Sequence, residues 1–242
     1  MAIKKTFTLA GGPSSMFNVF CSGSGRYEGA ERDIETEHIA GRNGDLLTDG
    51  GCWRNVIITY PCYLAHSFAT DFDDFRSWLS RHMDDYYTLT DDYDANHYRL
   101  ARVVGPIEPE VLVRGKAGTI TVMFDCKPQR FRTDPDITLT TSGTVVNPTD
   151  FHSKPLLYVT GSGTITIENQ EIQVASSGYS EIVIDCDTMD AFAQSTGTVG
   201  AIENANNYVS LPIKNVVLKP GDNQVTLSGV SQLRIVPRFF DM

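Results

Sequence analysis

Two short runs, Thr119-Ile120-Thr121-Val122-Met123-Phe124 and Gly163-Thr164-Ile165-Thr166-Ile167-Glu168, alternate threonine with apolar side chains. Successive side chains of an extended strand point to opposite faces, so a period of two marks a strand with one buried and one wet face. Val56-Ile57-Ile58-Thr59-Tyr60, Glu181-Ile182-Val183-Ile184-Asp185, Gln224-Val225-Thr226-Leu227 and Gln232-Leu233-Arg234-Ile235-Val236-Pro237-Arg238 share the β-branched and aromatic character. Short strands punctuated by Gly, Pro, Asn and Asp predict a mainly β fold.

One segment breaks the pattern. From Thr70 to about Tyr87, the residues Phe72, Phe75, Trp78, Leu79, Met83 and Tyr86 recur at helical spacing. Thr70 is placed to cap the N-terminus, and Asp71, Asp73 and Asp74 suit the positive end of the helix dipole. The spacing assigns the aromatic stripe to a core contact, a helix lying on a sheet.

Thr133-Asp134-Pro135-Asp136 interrupts the chain, and turn residues follow at Thr140-Thr141-Ser142-Gly143-Thr144 and Asn147-Pro148-Thr149-Asp150 around a short strand. Both tryptophans, the helix and most of the charge lie before this point. The expected organisation is two domains: 1–134, with β-sheets plus one amphipathic helix, and 135–242, a β-sandwich.

The chain has 242 residues, 41% of them hydrophobic and 21% charged, which suits a folded chain rather than a disordered one. Twenty Lys and Arg against thirty Asp and Glu give a net charge of −10, a poor match to a phosphate-reading surface. No apolar run approaches the roughly 18 residues of a membrane span. The N-terminal Met1-to-Leu9 segment carries Lys4 and Lys5 but no apolar core behind them, so the chain is expected to start in the cytoplasm of the cell that makes it.

The motifs of familiar chemistry are missing. Cys21, Cys52, Cys62, Cys126 and Cys186 form no C-x-x-C pair and are expected as reduced thiols packed like small hydrophobes. His38, His66, His82, His97 and His152 are scattered. From Asp92, the acidic run Asp91-Asp92-Tyr93-Asp94-Ala95-Asn96 opens like a calcium loop. It carries His97 and Val103 where that loop needs Gly and Glu, so a solvated turn is expected. Gly23-Ser24-Gly25 and Gly161-Ser162-Gly163 are expected as short turns, and there is no Walker sequence and no G-x-S-x-G elbow. Arg42, Arg76, Arg81, Arg99, Arg102, Arg114, Arg130 and Arg132 sit among acids, as surface ion pairs or polar subunit contacts do. No catalytic, cofactor-binding or metal residue is assigned, no cofactor is expected, and no ligand-binding residue is named.

Several segments, in order, resemble the distal tail (Dit) proteins of long-tailed, siphovirus-type bacteriophages. They begin with Arg32-Asp33-Ile34-Glu35 and Ala40-Gly41-Arg42-Asn43-Gly44-Asp45-Leu46-Leu47, whose Gly-Arg-Asn-Gly centre is expected as a tight turn with Asn and Gly at positive φ. Trp53-Arg54-Asn55-Val56 follows, then the helix with Phe75, Trp78 and Leu79, and Tyr87-Thr88-Leu89-Thr90-Asp91 leading to Tyr93-Asp94 and Tyr98-Arg99-Leu100-Ala101. Phe124-Asp125-Cys126-Lys127-Pro128-Gln129-Arg130-Phe131 is similar to the ending of the family's first domain. In the second half the resemblance is carried by Lys154-Pro155-Leu156-Leu157-Tyr158-Val159, Ile184-Asp185-Cys186-Asp187 with Asp190-Ala191-Phe192, Leu218-Lys219-Pro220-Gly221-Asp222-Asn223-Gln224-Val225, and Ile235-Val236-Pro237-Arg238-Phe239-Phe240. It covers roughly residues 32 to 240, and Phe239 stands where the pattern has Trp.

The resemblance implies a tail-tube-like first domain, a galectin-like second domain and a structural, non-enzymatic role. Six first domains would form a hub ring at the tail tip or baseplate, joining the tail tube to the host-adhesion apparatus and letting DNA pass. Implied partners are other copies of the chain, a tail tube protein, a tail-associated or tail fibre hub protein, and receptor-binding or baseplate proteins. Membrane and sequence-specific nucleic acid are not among them. The implied place is the virion tail tip, assembled in the host cytoplasm, and the acidic net charge would suit a lumen that DNA does not stick to. The alternative is a carbohydrate-binding module working through the second domain, for which Tyr158, Tyr179, Phe192 and Tyr208 are the aromatics to inspect, each more simply read as core. A wall-degrading enzyme ranks last, since an acid pair in a cleft leaves no mark in spacing.

Overall fold

The computed structural model describes residues 4–24, 28–64, 68–113, 116–194, 202–210 and 216–242. His66 and Arg114 lie outside them. The chain forms two compact units, Met1–Arg130 and Phe131–Asp241. Strand dominates both, and the fold is mainly β.

In chain order the first unit contains β1 (Phe7–Leu9), β2 (Gly12–Pro13), a 3-10 turn at Ser14–Phe17, β3 (Val19–Cys21), β4 (Arg32–Glu37), β5 (Leu46–Trp53), β6 (Val56–Leu64), α1 (Phe68–Ser80), β7 (Tyr87–Asp91), β8 (His97–Val104), β9 (Pro109–Val113) and β10 (Ala117–Cys126). Its main sheet has the order β2-β1-β7-β8-β10-β6-β3, with β9 also paired to β10. Alternation decides which face is buried. Val56, Ile58, Tyr60, Cys62 and Leu64 of β6 and Ile120, Val122 and Phe124 of β10 point inward, and their neighbours point out.

Helix α1 closes that inner face with Phe68, Phe72, Phe75 and Leu79, all buried against the strand residues. Thr70 is not the cap. The helix includes Phe68, so Thr70 sits inside its first turn, and Asp71 is the acidic residue there. The helix also ends at Ser80, earlier than the stripe suggested. Met83 packs on the core from the following loop, while the Tyr86 hydroxyl accepts a hydrogen bond from Asn55 Nδ2 at 2.6 Å. A stripe of core contacts therefore continued past the helix that began it.

β6 runs through Pro61, which lacks a backbone donor. Ser22 N–H donates to the Pro61 carbonyl at 2.8 Å, so the proline nitrogen faces Ser22, and the one ladder bond it cannot give falls at an exposed residue just past the end of the short strand β3.

β11 (Arg130–Arg132) begins on the last residue of the first unit, and the second unit continues with β12 (Ile137–Leu139), β13 (Gly143–Asn147), β14 (Leu156–Ile167), β15 (Gln170–Val174), β16 (Ile182–Asp185), β17 (Asp190–Gln194), β18 (Ile202–Asn204), a 3-10 turn at Asn206–Tyr208, β19 (Gly221–Val236) and β20 (Phe240–Asp241), which pairs with β11. The two runs 224–227 and 232–238, expected as separate strands, belong to one 16-residue strand, β19, as far as Val236. The Gly161-Ser162-Gly163 motif is not a turn between elements either, but lies inside β14.

The long strands β14 and β19 pair with each other throughout, with register breaks at Thr160/Gly161 and Gly161/Thr164. Gly161, Gly163 and Gly229 have φ of 91°, 151° and 84° at this corner. A Cβ on Gly163 would lie 2.1 Å from the Ser228 carbonyl oxygen. Beyond the corner the partners change. The first half of β14 pairs with β16 and the second with β15, while the first half of β19 pairs with β13 and the second with β12. Val145, Ile165, Ile172 and Val225 from one half and Leu157, Ile184, Ala193 and Ile235 from the other lie in a single buried cluster. One bent sheet thus folds onto itself as a β-sandwich. Phe239, which stands in place of an expected Trp, fills part of that core.

Candidate functional site

Among the described residues β4 and β5 pair with each other and with no other strand. Their register sets Ile34 opposite Asp49, Thr36 opposite Leu47 and Glu37 opposite Leu46. Directly opposed residues share a face, so Ile34, Thr36, Leu47 and Asp49 lie on one side of the ribbon, with Glu35 and Glu37 on the other. Leu47 is 65% exposed, and Ile34, Ile39 and Leu46 are exposed as well. The connection spans residues 38–45 and is longer than the tight turn expected. Gly41 and Gly44 take positive φ, whereas Asn43 does not.

Charged pairs pin the ribbon at its root. Arg32 grips Asp49 with both Nε (2.9 Å to Oδ1) and Nη2 (2.7 Å to Oδ2), and stacks over Trp53. Arg54 Nη2 meets Asp33 Oδ1 at 2.6 Å; at the other end of the ribbon, beside the connection, His38 Nδ1 lies 3.0 Å from Asp45 Oδ1. Hydrogen bonds from Arg32 and from the Gly51 N–H hold the Asp49 carboxyl below its ordinary range. Cys52 lies exposed on this ribbon, contrary to the expectation of five packed thiols, while Cys21, Cys62, Cys126 and Cys186 are buried. An isolated two-stranded ribbon is marginal in water and keeps a row of unpaired backbone groups along each outer edge.

The main sheet of the first unit has an open face on the side away from α1. There β6 presents Ile57, 52% exposed, with Thr59 and Pro61, and β10 presents Thr121 between half-buried Thr119 and Met123. Across β6, β8 and β10 the one carboxylate on that face is Asp125, which takes Arg102 Nε at 3.0 Å and Asn55 Nδ2 at 2.9 Å. Most of the unit's other acids lie on the ribbon, on α1 and around β7, where Asp84, Asp85, Asp91, Asp92 and Asp94 fall.

The acidic turn after β7 is occupied by its own neighbours. Asp91 Oδ1 accepts the N–H groups of Tyr93 and Asp94, both at 2.8 Å, and Oδ2 accepts the Tyr60 hydroxyl and Ser24 Oγ. Asp92 Oδ2 takes the Thr6 N–H and hydroxyl at 2.7 and 2.8 Å. Asp94 takes Arg130 Nη2 at 2.5 Å and contacts His97 Nδ1 at 2.8 Å. Burial pulls the Asp94 carboxyl up, but the bonds from His97 and Arg130 outweigh it and hold the group below its usual range. Burial, then the Asp91 charge, pushes the Tyr60 phenol upward, so it stays a donor. Tyr60, Asp91, Asp94, His97 and Arg130 line a cavity of about 30 Å³, room for one water. Arg99, expected at the surface, lines it too and is buried, donating to the Pro128 and Glu28 carbonyls at 3.4 Å. Among the described residues no three of His, Cys, Asp and Glu are grouped to hold a metal ion.

In the second unit, the four aromatics considered for sugar stacking are all half-buried. The Arg234 guanidinium sits 3.5 Å from the Tyr158 ring centre and is held there by Asp136 at 2.9 Å. Tyr179 and Tyr208 meet edge-on at 5.9 Å against the core, and the Tyr179 hydroxyl donates to Glu203 at 2.6 Å. Asp185 receives both Arg238 nitrogens, at 2.8 and 3.0 Å.

No family model matches the sequence, and no curated protein sequence matches it. Solved structures do. The fold is similar to that of components of bacteriophage adsorption hubs and baseplates. One is the Dit protein of phage SPP1, described as a paradigm of the hub adsorption apparatus in phages infecting Gram-positive bacteria, which superposes with a TM-score of 0.67 at 14% identity over 96% of this chain and 97% of its own. Two structures of the phage p2 baseplate in its activated conformation, with strontium and with calcium, give 0.57 and 0.58 at 9% and 8% identity, each over 96% of this chain. This chain has that fold.

Proposed function

We propose that this chain is a structural hub protein of a phage tail tip, acting by assembly rather than catalysis. The observation that carries the reading is a likeness to SPP1 Dit along nearly the whole length of both chains, with a β4–β5 ribbon that finds no partner strand among the described residues of its own unit. In this reading residues 1–134 build a ring of six copies that joins the tail tube to the adhesion proteins and lets DNA through. Residues 135–242, a galectin-like sandwich, serve outward attachment. The ribbon's natural occupant is a second copy of the chain. A closed ring would satisfy its backbone edges and cover Ile34 and Leu47, as rotational assemblies do. The partners are the tail tube above and a tail-associated or fibre hub protein below, in the virion. The open sheet face is a candidate channel lining, made of hydroxyl and apolar groups apart from Arg102, whose charge is paired with Asp125, and it offers DNA phosphates little to bind.

Native mass by light scattering across a concentration series, followed by electron microscopy, tests the proposal. Rings with a central hole and a mass near six chains are expected. A monomer at every concentration, also with tail tube protein added, would overturn it.

A further inference from the structure

Cys21 on β3 and Cys62 on β6 stand directly opposite each other across an antiparallel pair. Ser22 donates its N–H to the Pro61 carbonyl at 2.8 Å, so Ser22 and Pro61 occupy a hydrogen-bonded position. The adjacent Cys21–Cys62 pair is therefore a non-hydrogen-bonded one, the type that brings Cα atoms to about 4.5 Å and side chains closest. That separation falls inside the roughly 4.4–6.8 Å that a disulfide spans. The Cys62 thiol already donates to Cys21 Sγ at 3.8 Å, and both residues are reduced.

We propose that Cys21 and Cys62 form a latent dithiol that a small-molecule disulfide converts into a cross-strand disulfide, stapling β3 to β6. The role is independent of the hub reading, and neither thiol belongs to the surfaces assigned to assembly.

The chemistry balances as two exchanges. The Cys21 thiolate attacks one sulfur of the oxidant RSSR, its proton leaving with the expelled thiolate as RSH. Cys62 then loses its proton and attacks Cys21 Sγ, expelling the second RSH. Two protein thiols are oxidised and one external disulfide is reduced. The order follows from the site. Cys62 is the hydrogen-bond donor, and that bond and burial push its thiol up, which disfavours it as first attacker. Cys21 lies on a three-residue edge strand whose outer side is held by a bridge to Lys5 and by two hydroxyls, Tyr93 donating to the Cys21 carbonyl at 3.3 Å and Ser14 to the Val19 carbonyl at 3.0 Å. Local opening of so short an edge exposes Cys21 without unfolding the sheet. The other thiols have no such geometry: Cys126 stands opposite Val56 on β6 and Ala101 on β8, Cys186 belongs to the other unit and Cys52 is exposed on the ribbon.

The test uses the full chain carrying Cys52→Ser, which removes the exposed thiol. It is incubated folded with glutathione disulfide, then denatured, alkylated and weighed. The expected result is alkylation of two of the four remaining thiols, a linked Cys21–Cys62 peptide, and reversal by dithiothreitol. The melting temperature of the oxidised form should rise on the order of 5–10 °C, as expected for closing a loop of this length. Four alkylated thiols, when the denatured chain in the same oxidant has already formed disulfides, would overturn the proposal. So would a different linked pair, a stable glutathione adduct at Cys21, or the expected pair with no gain in melting temperature.

Discussion

The Phe68 ring fills the space that a side chain on Gly118 would occupy. A Cβ at that position would lie 2.2 Å from Phe68 Cε2 and 2.8 Å from the Glu110 carbonyl oxygen. β10 therefore carries glycine at an inward position where its alternation would otherwise place an apolar side chain, and α1 docks through the gap. Gly118→Val should destabilise the chain by about 2–4 kcal/mol, an overpacking cost, measured by urea denaturation. Adding Phe68→Leu, which withdraws the ring, should recover part of that loss. No recovery would mean that the Glu110 backbone is the true obstacle.

On the ribbon the expectation reverses, because Leu47 touches little in its own chain. Leu47→Glu should leave the melting temperature of the isolated chain nearly unchanged, within about 0.5 kcal/mol of stability. Self-association should fall at least tenfold by light scattering. Unchanged association would remove the ribbon from the interface.

Acid should act through Asp94 and Asp185, whose carboxyls are held below the ordinary range. At both, burial opposes the shift, and hydrogen bonds, from His97 and Arg130 or from Arg238 and the Asp187 N–H, prevail. A lowered folded value means stabilisation that is complete above the unfolded carboxylate range, about pH 4, and lost as pH falls through the folded value. Stability measured from pH 6 to pH 2 should drop below about pH 4, and Asp185→Asn should flatten that drop while lowering stability at neutral pH. An unchanged slope in the variant would place the acid sensitivity elsewhere.

The corner of the second unit allows no repair of the kind available to Gly118. At Gly163 the obstacle is the Ser228 carbonyl oxygen, and φ is 151°, where a side chain is strained whatever the space. Gly163→Ala should cost about 3 kcal/mol or more, read by thermal denaturation, with no neighbouring side-chain variant restoring it. A tolerated alanine would show that the two strand halves can separate at the corner.

What could be read from sequence follows local periodicity. The inward face of β10 was legible because Ile120, Val122 and Phe124 alternate with Thr119, Thr121 and Met123, whereas β6 was legible only as a strand, since apolar Ile57 sits exposed between Val56 and Ile58. The helix face was legible through Phe72, Phe75 and Leu79, but its limits were not. Met83 extended the stripe from outside the helix, and Thr70 resembled a cap while lying within the first turn. The isolated pairing of β4 with β5 could not be seen in advance, since exposure is decided by which strands decline to pair. Gly161-Ser162-Gly163 resembled a turn because a bulged bend and a turn ask for the same residues. The Cys21–Cys62 opposition depends on a register set by residues 41 positions apart, which spacing does not reveal.

The shared strands of the sandwich also govern when it can fold. β19 supplies a central partner to both layers, pairing Asn223 with Val145 on one side of the corner and Ile235 with Leu157 on the other. Each pairing closes a long stretch of chain, so neither layer can gather its core from local contacts, and such topologies fold slowly. During synthesis, Val145, Leu157, Ile165 and Ile184 emerge with no closing strand to cover them. They stay exposed until β19 is made, an interval in which a nascent chain depends on staying apart from its neighbours or on a chaperone.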